Sequence, residues 1–377
     1  MERAPRARLM LLTGFEATRP RYELSQARSL EWLAAAHAEA EATQASLGPA
    51  EKAAFATRIA RVLQRCACAP DKIARRGHSV RDVELGGWEG NEIYDLRREP
   101  HGAGTARRSR LYSEIVDAYF AESYAAARAP DDIVHVTCTG YASPSGAQQL
   151  VAKRGWATRV THAYHMGCYA ALPAVRIAHG LAATGSRRVD LVHTELCSLH
   201  LDPADHRVEQ LVVQSLFADG LIRYSLVPQA DHGLRIVALH EQLVPDSAAS
   251  MRWVAGDHGM QMTLARDVPE RIAAVLRAFV IELYGRAGIA LARLKDSVWA
   301  VHPGGPRIID GVQHTLELTD AQVAASRAVL RDHGNMSSAT LPHVWQRLDR
   351  ALAPGTLVAS LAFGPGLTVC GGVFEKR

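Results

Sequence analysis

The chain has 377 residues, 48% of them hydrophobic and 6% aromatic, with a formal net charge of +4. That length exceeds what one hydrophobic core usually serves, so two domains or two closely packed halves are expected. No Lys/Arg tract with interleaved aromatics and no apolar run of membrane-spanning length is present, which argues against nucleic-acid and membrane partners.

In chain order, the opening MERAPRARLMLLTGF holds an apolar run too short for a signal peptide, and 9–14 reads as a first strand. Residues 25–43 read as a helix with Ser25 as N-cap. A second helix over 49–64 opens at Gly48-Pro49 and puts Phe55, Ile59, Val62 and Leu63 on one face. Residues 86–110 are polar and irregular, and an amphipathic helix follows over 111–127. A strand over 132–138, a helix over 146–153 and a strand over 156–162 lead to Gly167-Cys168, and a helix then runs to a stop at Gly185. A buried strand (189–195), a helix (211–219) and two strands that look paired (221–227 and 234–241) complete the first part. The second part reads as helix 268–288, strand 298–302, helices 304–316, 320–333 and 337–352, and strands 356–363 and 367–374. Such alternation argues for an α/β layered fold.

Six cysteines without framework spacing fit a reducing compartment, so a cytoplasmic location is expected. Cys66-Ala67-Cys68 is too tight for a CxxC site and reads as a pair of helix cysteines. No HExxH and no paired CxxC is present, so no metal is expected.

Cys168 sits at a strand-to-helix elbow, where the positive end of a helix favours thiolate over thiol. A buried structural cysteine is the bland alternative. Three later motifs offer it partners. In Val301-His302-Pro303-Gly304-Gly305-Pro306 a histidine ends a strand before a tight turn, which aims an imidazole into a cleft; with seventeen histidines in the chain, a surface histidine reads the same. In Gly334-Asn335-Met336-Ser337-Ser338-Ala339 the asparagine is either a helix cap or an amide donor for an oxyanion. Phe363-Gly364-Pro365-Gly366-Leu367 is a rigid turn where backbone approaches something closely. A thiol nucleophile that is also a good leaving group, with two donors for successive oxyanions and no strong base, is what a decarboxylative Claisen condensation requires.

Taken together, GCxA, HPGGP, GNMSSA and FGPGL resemble the type III polyketide synthases, the chalcone/stilbene synthase-like branch of the thiolase superfamily. The likeness extends to Glu195, to Gln214–Gly220 and to Asp267-Val268-Pro269; the first 130 residues match only in element pattern. The resemblance implies a five-layer αβαβα fold of two similar halves, 1–229 carrying the nucleophile and 230–377 carrying the His and Asn, in a homodimer. It implies an acyltransferase that loads a starter on Cys168 and extends it with malonyl-CoA to a pyrone, resorcinol or related polyketide. His302 and Asn335 would stabilise the thioester oxyanion and the enolate. Coenzyme A thioesters are then substrates, and no cofactor is permanently bound.

By the same resemblance Phe217 is an aromatic wall beside the malonyl group. Met262 stands for the second gatekeeper aromatic, Trp253 for a usually small position and His200 for a cavity threonine. Ser337, Gly364, Pro365 and Gly366 complete the substrate-binding set. Ser143, before Pro144, takes the place of a methionine that reaches the partner's cavity, and that Ser-Pro bond is a candidate cis peptide. Arg58, Arg65 and Lys72, with Arg75 and Arg76, lie in the coenzyme A region, although a solvated helix face explains them equally well. Two alternatives stand beside this reading. One is a ketoacyl synthase III-like enzyme performing a single condensation on an acyl group from an acyl carrier protein. The other is a catalytically silent dimerisation partner, against which the retention of Cys168, His302 and Asn335 argues.

Overall fold

The computed structural model describes residues 10–377, so Leu9 at the start of the expected first strand lies outside them. Its main sheet has nine strands, in the spatial order Val298–Val301, Leu357–Gly364, Thr368–Lys376, Leu234–Leu243, Leu11–Thr18, Gly220–Val227, Val189–Glu195, Asp132–Thr137 and Arg159–Tyr164. The first four form one half-sheet and the last five another. Among the described residues they join where Leu11 and Leu12 pair with Arg235 and Leu234 and where the Ile236 amide donates to the Met10 carbonyl at 3.1 Å.

Side chains alternate across each strand and so sort into three apolar layers. Val134, Leu191, Ile222, Tyr224, Val358 and Ala362 face a central core, which also takes up helix Ala171–Ala183 and helix Thr340–Ala351. Their strand neighbours Ile133, Val192 and Leu221 face an outer core under helix Thr105–Ser123, and Leu361 and Phe363 face another under helix Val268–Ala287. Helix, sheet, central helices, sheet and helix make five layers, the arrangement expected above.

Ser25 caps the first helix, Gln26–Ala45, by accepting from the Arg28 amide at 3.3 Å. Several elements differ from the reading above. The helix expected over 111–127 is Thr105–Ser123 and begins within the stretch read as irregular, and strands Tyr22–Ser25, Arg75–His78, Met251–Gly256 and Gly259–Leu264 are additional. Gly220–Val227 and Leu234–Leu243 do not pair with each other, because strand Leu11–Thr18 lies between them. The helix expected over 211–219 is Val208–Leu216, and Phe217 leaves it in an extended conformation. Arg76 causes that exit: it is buried and donates to Gln26 Oε1, to the Gln214 carbonyl and to the Phe217 carbonyl, each at 2.8 Å. Lastly, Cys66 ends helix Pro49–Cys66, so Cys68 lies beyond it rather than in a helix. The Ser143-Pro144 peptide is cis.

Candidate active site

Cys168 lies in a short 3-10 turn, Gly167–Tyr169, between strand Arg159–Tyr164 and helix Ala171–Ala183. Gly167 has φ +74°, and a Cβ there would lie 3.1 Å from Pro365 Cδ, so the turn packs directly on the Gly364-Pro365-Gly366 loop. At Gly364 a Cβ would fall 2.1 Å from the Tyr169 ring, which is the close backbone approach the motif suggests. His302 follows strand Val298–Val301, its backbone amide donating to the Leu361 carbonyl at 2.7 Å. Asn335 is held beside Phe217 by two backbone bonds: its amide donates to the Leu216 carbonyl at 2.9 Å, and its carbonyl accepts from Ala218 at 2.8 Å.

These three segments meet around one cavity with two lobes. One lobe, of about 490 Å³, is lined by Cys168, His302, Asn335 and Phe363 among others. The other, of about 330 Å³, is lined by Cys138, Cys197, Trp253, Ser337 and Pro365. Cys168, Phe217, Met251 and Met262 line both, so the thiol stands at the junction.

The amide of Asn335 is fully oriented by its neighbours. Oδ1 accepts from the Ser337 backbone N–H at 2.9 Å, and Nδ2 donates to the Gly304 carbonyl at 3.2 Å. The capping role and the donor role are thus both filled: one Nδ2 hydrogen is left for a ligand. Ser337 itself has φ +49°, a conformation that costs a non-glycine residue about 1–2 kcal/mol. Its hydroxyl accepts from Cys168 Sγ at 3.9 Å and lies 3.1 Å from Cys138 Sγ.

His302 is buried, and neither ring nitrogen has a hydrogen-bond partner among the described residues. Leaving a buried polar group unsatisfied typically costs ~1–3 kcal/mol, so the free imidazole is a feature a ligand must complete. No carboxylate orients the ring, which removes a hydrolase-type triad. The nearby buried carboxylate, Glu195, is spent elsewhere: it accepts from Thr139 Oγ1 at 2.8 Å, from the Cys138 amide at 3.1 Å and from Ser338 Oγ.

Electrostatics correct one expectation. Burial pushes the Cys168 thiol up to about 12, with Ser337 pulling down and Glu195 adding to the rise. Burial likewise lowers His302 to about 3. A helix terminus supplies at most about 2 kcal/mol, roughly 1.5 pKa units, so the elbow alone does not yield a thiolate. A Cys168 thiolate and a His302 imidazolium would be opposite charges lining one cavity, each offsetting the other's burial.

The pattern of "Chalcone and stilbene synthases, N-terminal domain" matches residues 121–224, and that of the corresponding C-terminal domain matches 235–376. The chain belongs to the chalcone and stilbene synthase family. The "Type III polyketide synthase C" of Arabidopsis thaliana is 32% identical over 259 residues, covering 64% of this chain and 67% of that protein. The "1,3,6,8-tetrahydroxynaphthalene synthase" of Streptomyces griseus is 31% identical over 286 residues, covering 74% of this chain and 73% of that protein. The crystal structure of PKS-I from the brown alga Ectocarpus siliculosus superimposes over all of both chains with a TM-score of 0.81 at 22% identity, which shows the thiolase-like fold. This type III polyketide synthase is therefore a condensing acyltransferase, and the ketoacyl synthase III-like alternative is not favoured.

The synthase assembles most of the residues singled out in its sequence, but not all. Phe217, Met262, Trp253, Ser337 and Pro365 line the cavity with the Cys168, His302 and Asn335 set, whereas Gly364 and Gly366 shape the loop behind it. His200 does not line either lobe. Its Nε2 lies 2.7 Å from the Thr139 carbonyl and its Nδ1 accepts from the Met260 amide at 3.0 Å, leaving no ring nitrogen for a substrate. Arg58, Arg65 and Lys72 are exposed and line neither lobe; Arg58 stacks on Phe55 and Lys72 pairs with Asp71 at 3.2 Å. Cys138, Thr139 and Cys197 were not singled out. Each follows the carboxyl end of a strand of the parallel part of the sheet, where ligand sites of α/β folds gather, and that signal was readable.

Proposed function

We propose that this enzyme loads an acyl group from an acyl-CoA onto Cys168 and extends it with malonyl-CoA to a pyrone, resorcinol or related polyketide. The observation that carries the reading is the convergence of Cys168, unpartnered His302 and the half-used Asn335 amide on one apolar cavity. Cys168 Sγ attacks the thioester carbonyl, its proton passes to the His302 ring and from there to the departing sulfur, and coenzyme A leaves as the thiol. The same donors, His302 and the free Asn335 N–H, then face the thioester oxygen of malonyl-CoA as CO2 departs. The resulting carbanion attacks the Cys168 thioester, forming a C–C bond and freeing the sulfur. Coenzyme A thioesters are substrates in this scheme, and an acyl carrier protein is a secondary acyl source. We retain the division into halves 1–229 and 230–377, which falls between the two family patterns, and a homodimer as its assembly.

The test is product mass spectrometry after incubation with labelled malonyl-CoA and starters of graded chain length, supplied on coenzyme A or on a carrier protein. Products with two or more malonyl-derived units from coenzyme A thioesters are expected. A single extension obtained only from the carrier protein would overturn the proposal.

A further inference from the structure

The last carbonyls of a helix have no partner within it. At the end of helix Val208–Leu216 they are taken by groups distant in sequence. Arg76 Nη1 donates to the Gln214 and Phe217 carbonyls at 2.8 Å each, Gln26 Nε2 to the Ser215 carbonyl at 2.9 Å, and the Asn335 amide to the Leu216 carbonyl at 2.9 Å. Arg76 Nε donates to Gln26 Oε1 at 2.8 Å, and Gln26 Nε2 also reaches the Cys68 carbonyl at 2.9 Å, so the Gln26 amide is held with its oxygen towards the guanidinium. Arg76 is 2% exposed and forms no ion pair among the described residues. Asp219, whose charge acts on it, is bound instead by the Ser79 amide at 2.6 Å and by the Ser198 amide and hydroxyl at 2.7 Å each. Burial lowers Arg76 to about 10, so it stays charged at neutral pH. A buried charge without a counter-ion is costly, and here the negative end of the helix stands in for one. The stem of Arg76 packs on the segment that carries Asn335: a Cβ on Gly334 would lie 3.0 Å from Arg76 Cγ.

We propose that Arg76 is a positioning residue for the extension step, holding Phe217 and Asn335 in place around the malonyl group. The assignment rests on the condensation reading above and names what supports one half of it. Phe217 lines both lobes, and Asn335 lines the lobe that holds His302. Arg76 holds the carbonyl of the first and packs beside the second, and the two are bridged by backbone bonds. Cys168 and His302 have other supports: the Cys168 turn packs on Pro365, and the His302 amide donates to the Leu361 carbonyl at 2.7 Å. Acyl loading, which needs Cys168 and His302, therefore stands apart from the Arg76 contacts, whereas decarboxylation and condensation depend on them. A planar guanidinium suits this task because its donors point in fixed directions and charge-assisted bonds to carbonyls are strong. The same contacts remove Arg76 from the coenzyme A region suggested by its place in the sequence, since these donors are turned into the protein.

Two variants test the assignment by comparing the half-reactions. Arg76→Met keeps the length of the side chain and removes its donors; Arg76→Lys keeps the charge but places all its donors on one nitrogen. Misplacing a group at the reacting atoms by about 1 Å can cost about 10²-fold, so malonyl-CoA decarboxylation by Arg76→Met, followed as CO2 release, should fall about ten- to hundredfold. Self-acylation from acetyl-CoA, read by rapid-quench mass spectrometry, should fall far less. Arg76→Lys should show the same imbalance to a smaller degree, and it carries the test if the methionine variant does not fold. Equal losses in the two half-reactions would mark a purely structural role and overturn the assignment. Wild-type decarboxylation in Arg76→Met, or failure of both variants to fold, would overturn it as well. A wild-type enzyme that neither acylates Cys168 nor decarboxylates malonyl-CoA would instead refute the condensation reading, so the two failures are distinguishable.

Discussion

Trp253 and Met262 are directly opposed in register across the hairpin Met251–Gly256/Gly259–Leu264, and both side chains wall the cavity that holds Cys168. The indole is fixed by a hydrogen bond from Nε1 to the Cys138 carbonyl at 2.6 Å, whereas the Met262 side chain is held only by packing. Trp253 lines only the lobe shared with Cys138 and Cys197; Met262 lines both.

That asymmetry predicts separable effects. A thioether with three rotatable bonds swings aside for an acyl chain, and a phenyl ring does not. Met262→Phe should therefore lower kcat/KM for medium and long acyl-CoA starters more than for acetyl-CoA, with the ratio moving by about ten- to two-hundredfold. Trp253→Gly should enlarge the lobe shared with Cys138 and Cys197 and shift products towards further malonyl extensions. Chain-length profiles that do not change in either variant would show that these side chains do not limit the growing chain.

His302 and Asn335 should divide the work unequally. Loss of one oxyanion donor typically costs ~10²–10³ in rate, so either alanine variant should slow malonyl-CoA decarboxylation by about that much. Only His302 can also take the Cys168 proton. His302→Ala should slow both self-acylation and iodoacetamide inactivation at neutral pH, while Asn335→Ala acylates at close to the wild-type rate and fails to extend. Equal loss of acylation in the two variants, measured by rapid-quench mass spectrometry, would refute this division.

Much of this arrangement is legible in the sequence where local pattern decides. The strand Val189–Glu195 and the helix Asp320–His333 fall where periodicity puts them, and Ser25 caps its helix as its position predicts. What was missed depends on contacts distant in sequence. Phe217 breaks its helix because Arg76 takes its carbonyl and Asn335 takes the Leu216 carbonyl and the Ala218 amide on either side, which nothing in residues 211–219 announces. The hairpin carrying Trp253 and Met262 is short, and its Gly256-Asp257-His258-Gly259 turn is secured by Thr105, which donates to the Asp257 and Gly256 carbonyls. His200 aligns with a cavity position, yet Met260 of that hairpin claims its ring. The raised thiol of Cys168 follows from burial, which is a property of the assembled layers.

The buried histidines predict the response to acid. His193 is fully buried, between Ser338 Oγ at 3.0 Å and Tyr224 Oη at 3.1 Å, and burial holds it down at about 3 against 6.5 in the free side chain. The unfolded chain thus binds the proton first: stability is complete above pH 6.5 and is lost as pH falls towards 3. His193→Gln should flatten the fall of unfolding free energy below pH 6.5 by up to about 1.4 kcal/mol per pH unit, read from urea midpoints. An unchanged slope would contradict a neutral buried ring. Asp219, raised to about 6 by burial, works in the opposite direction and should be left intact in this comparison.

Gly364 should tolerate no side chain. A Cβ there meets Tyr169 Cδ1 at 2.1 Å, next to Cys168, so the ring or the turn must move. Gly364→Ala should cost about 1–3 kcal/mol of stability, as overpacking does, and reduce self-acylation together with it. Thermal unfolding alongside single-turnover acylation tests this; wild-type values in both would show that Tyr169 yields without disturbing the nucleophile.

Cys168 is one of six free cysteines, and two of the others, Cys138 and Cys197, share its cavity, so which thiol carries the acyl group is the central question. Intact-protein mass spectrometry after incubation with an acyl-CoA, followed by peptide mapping, tests it directly. The prediction is one acyl group per chain, mapped to Cys168 and abolished by Cys168→Ala. Stoichiometric acylation that persists in Cys168→Ala, on Cys138 or Cys197, would contradict the account.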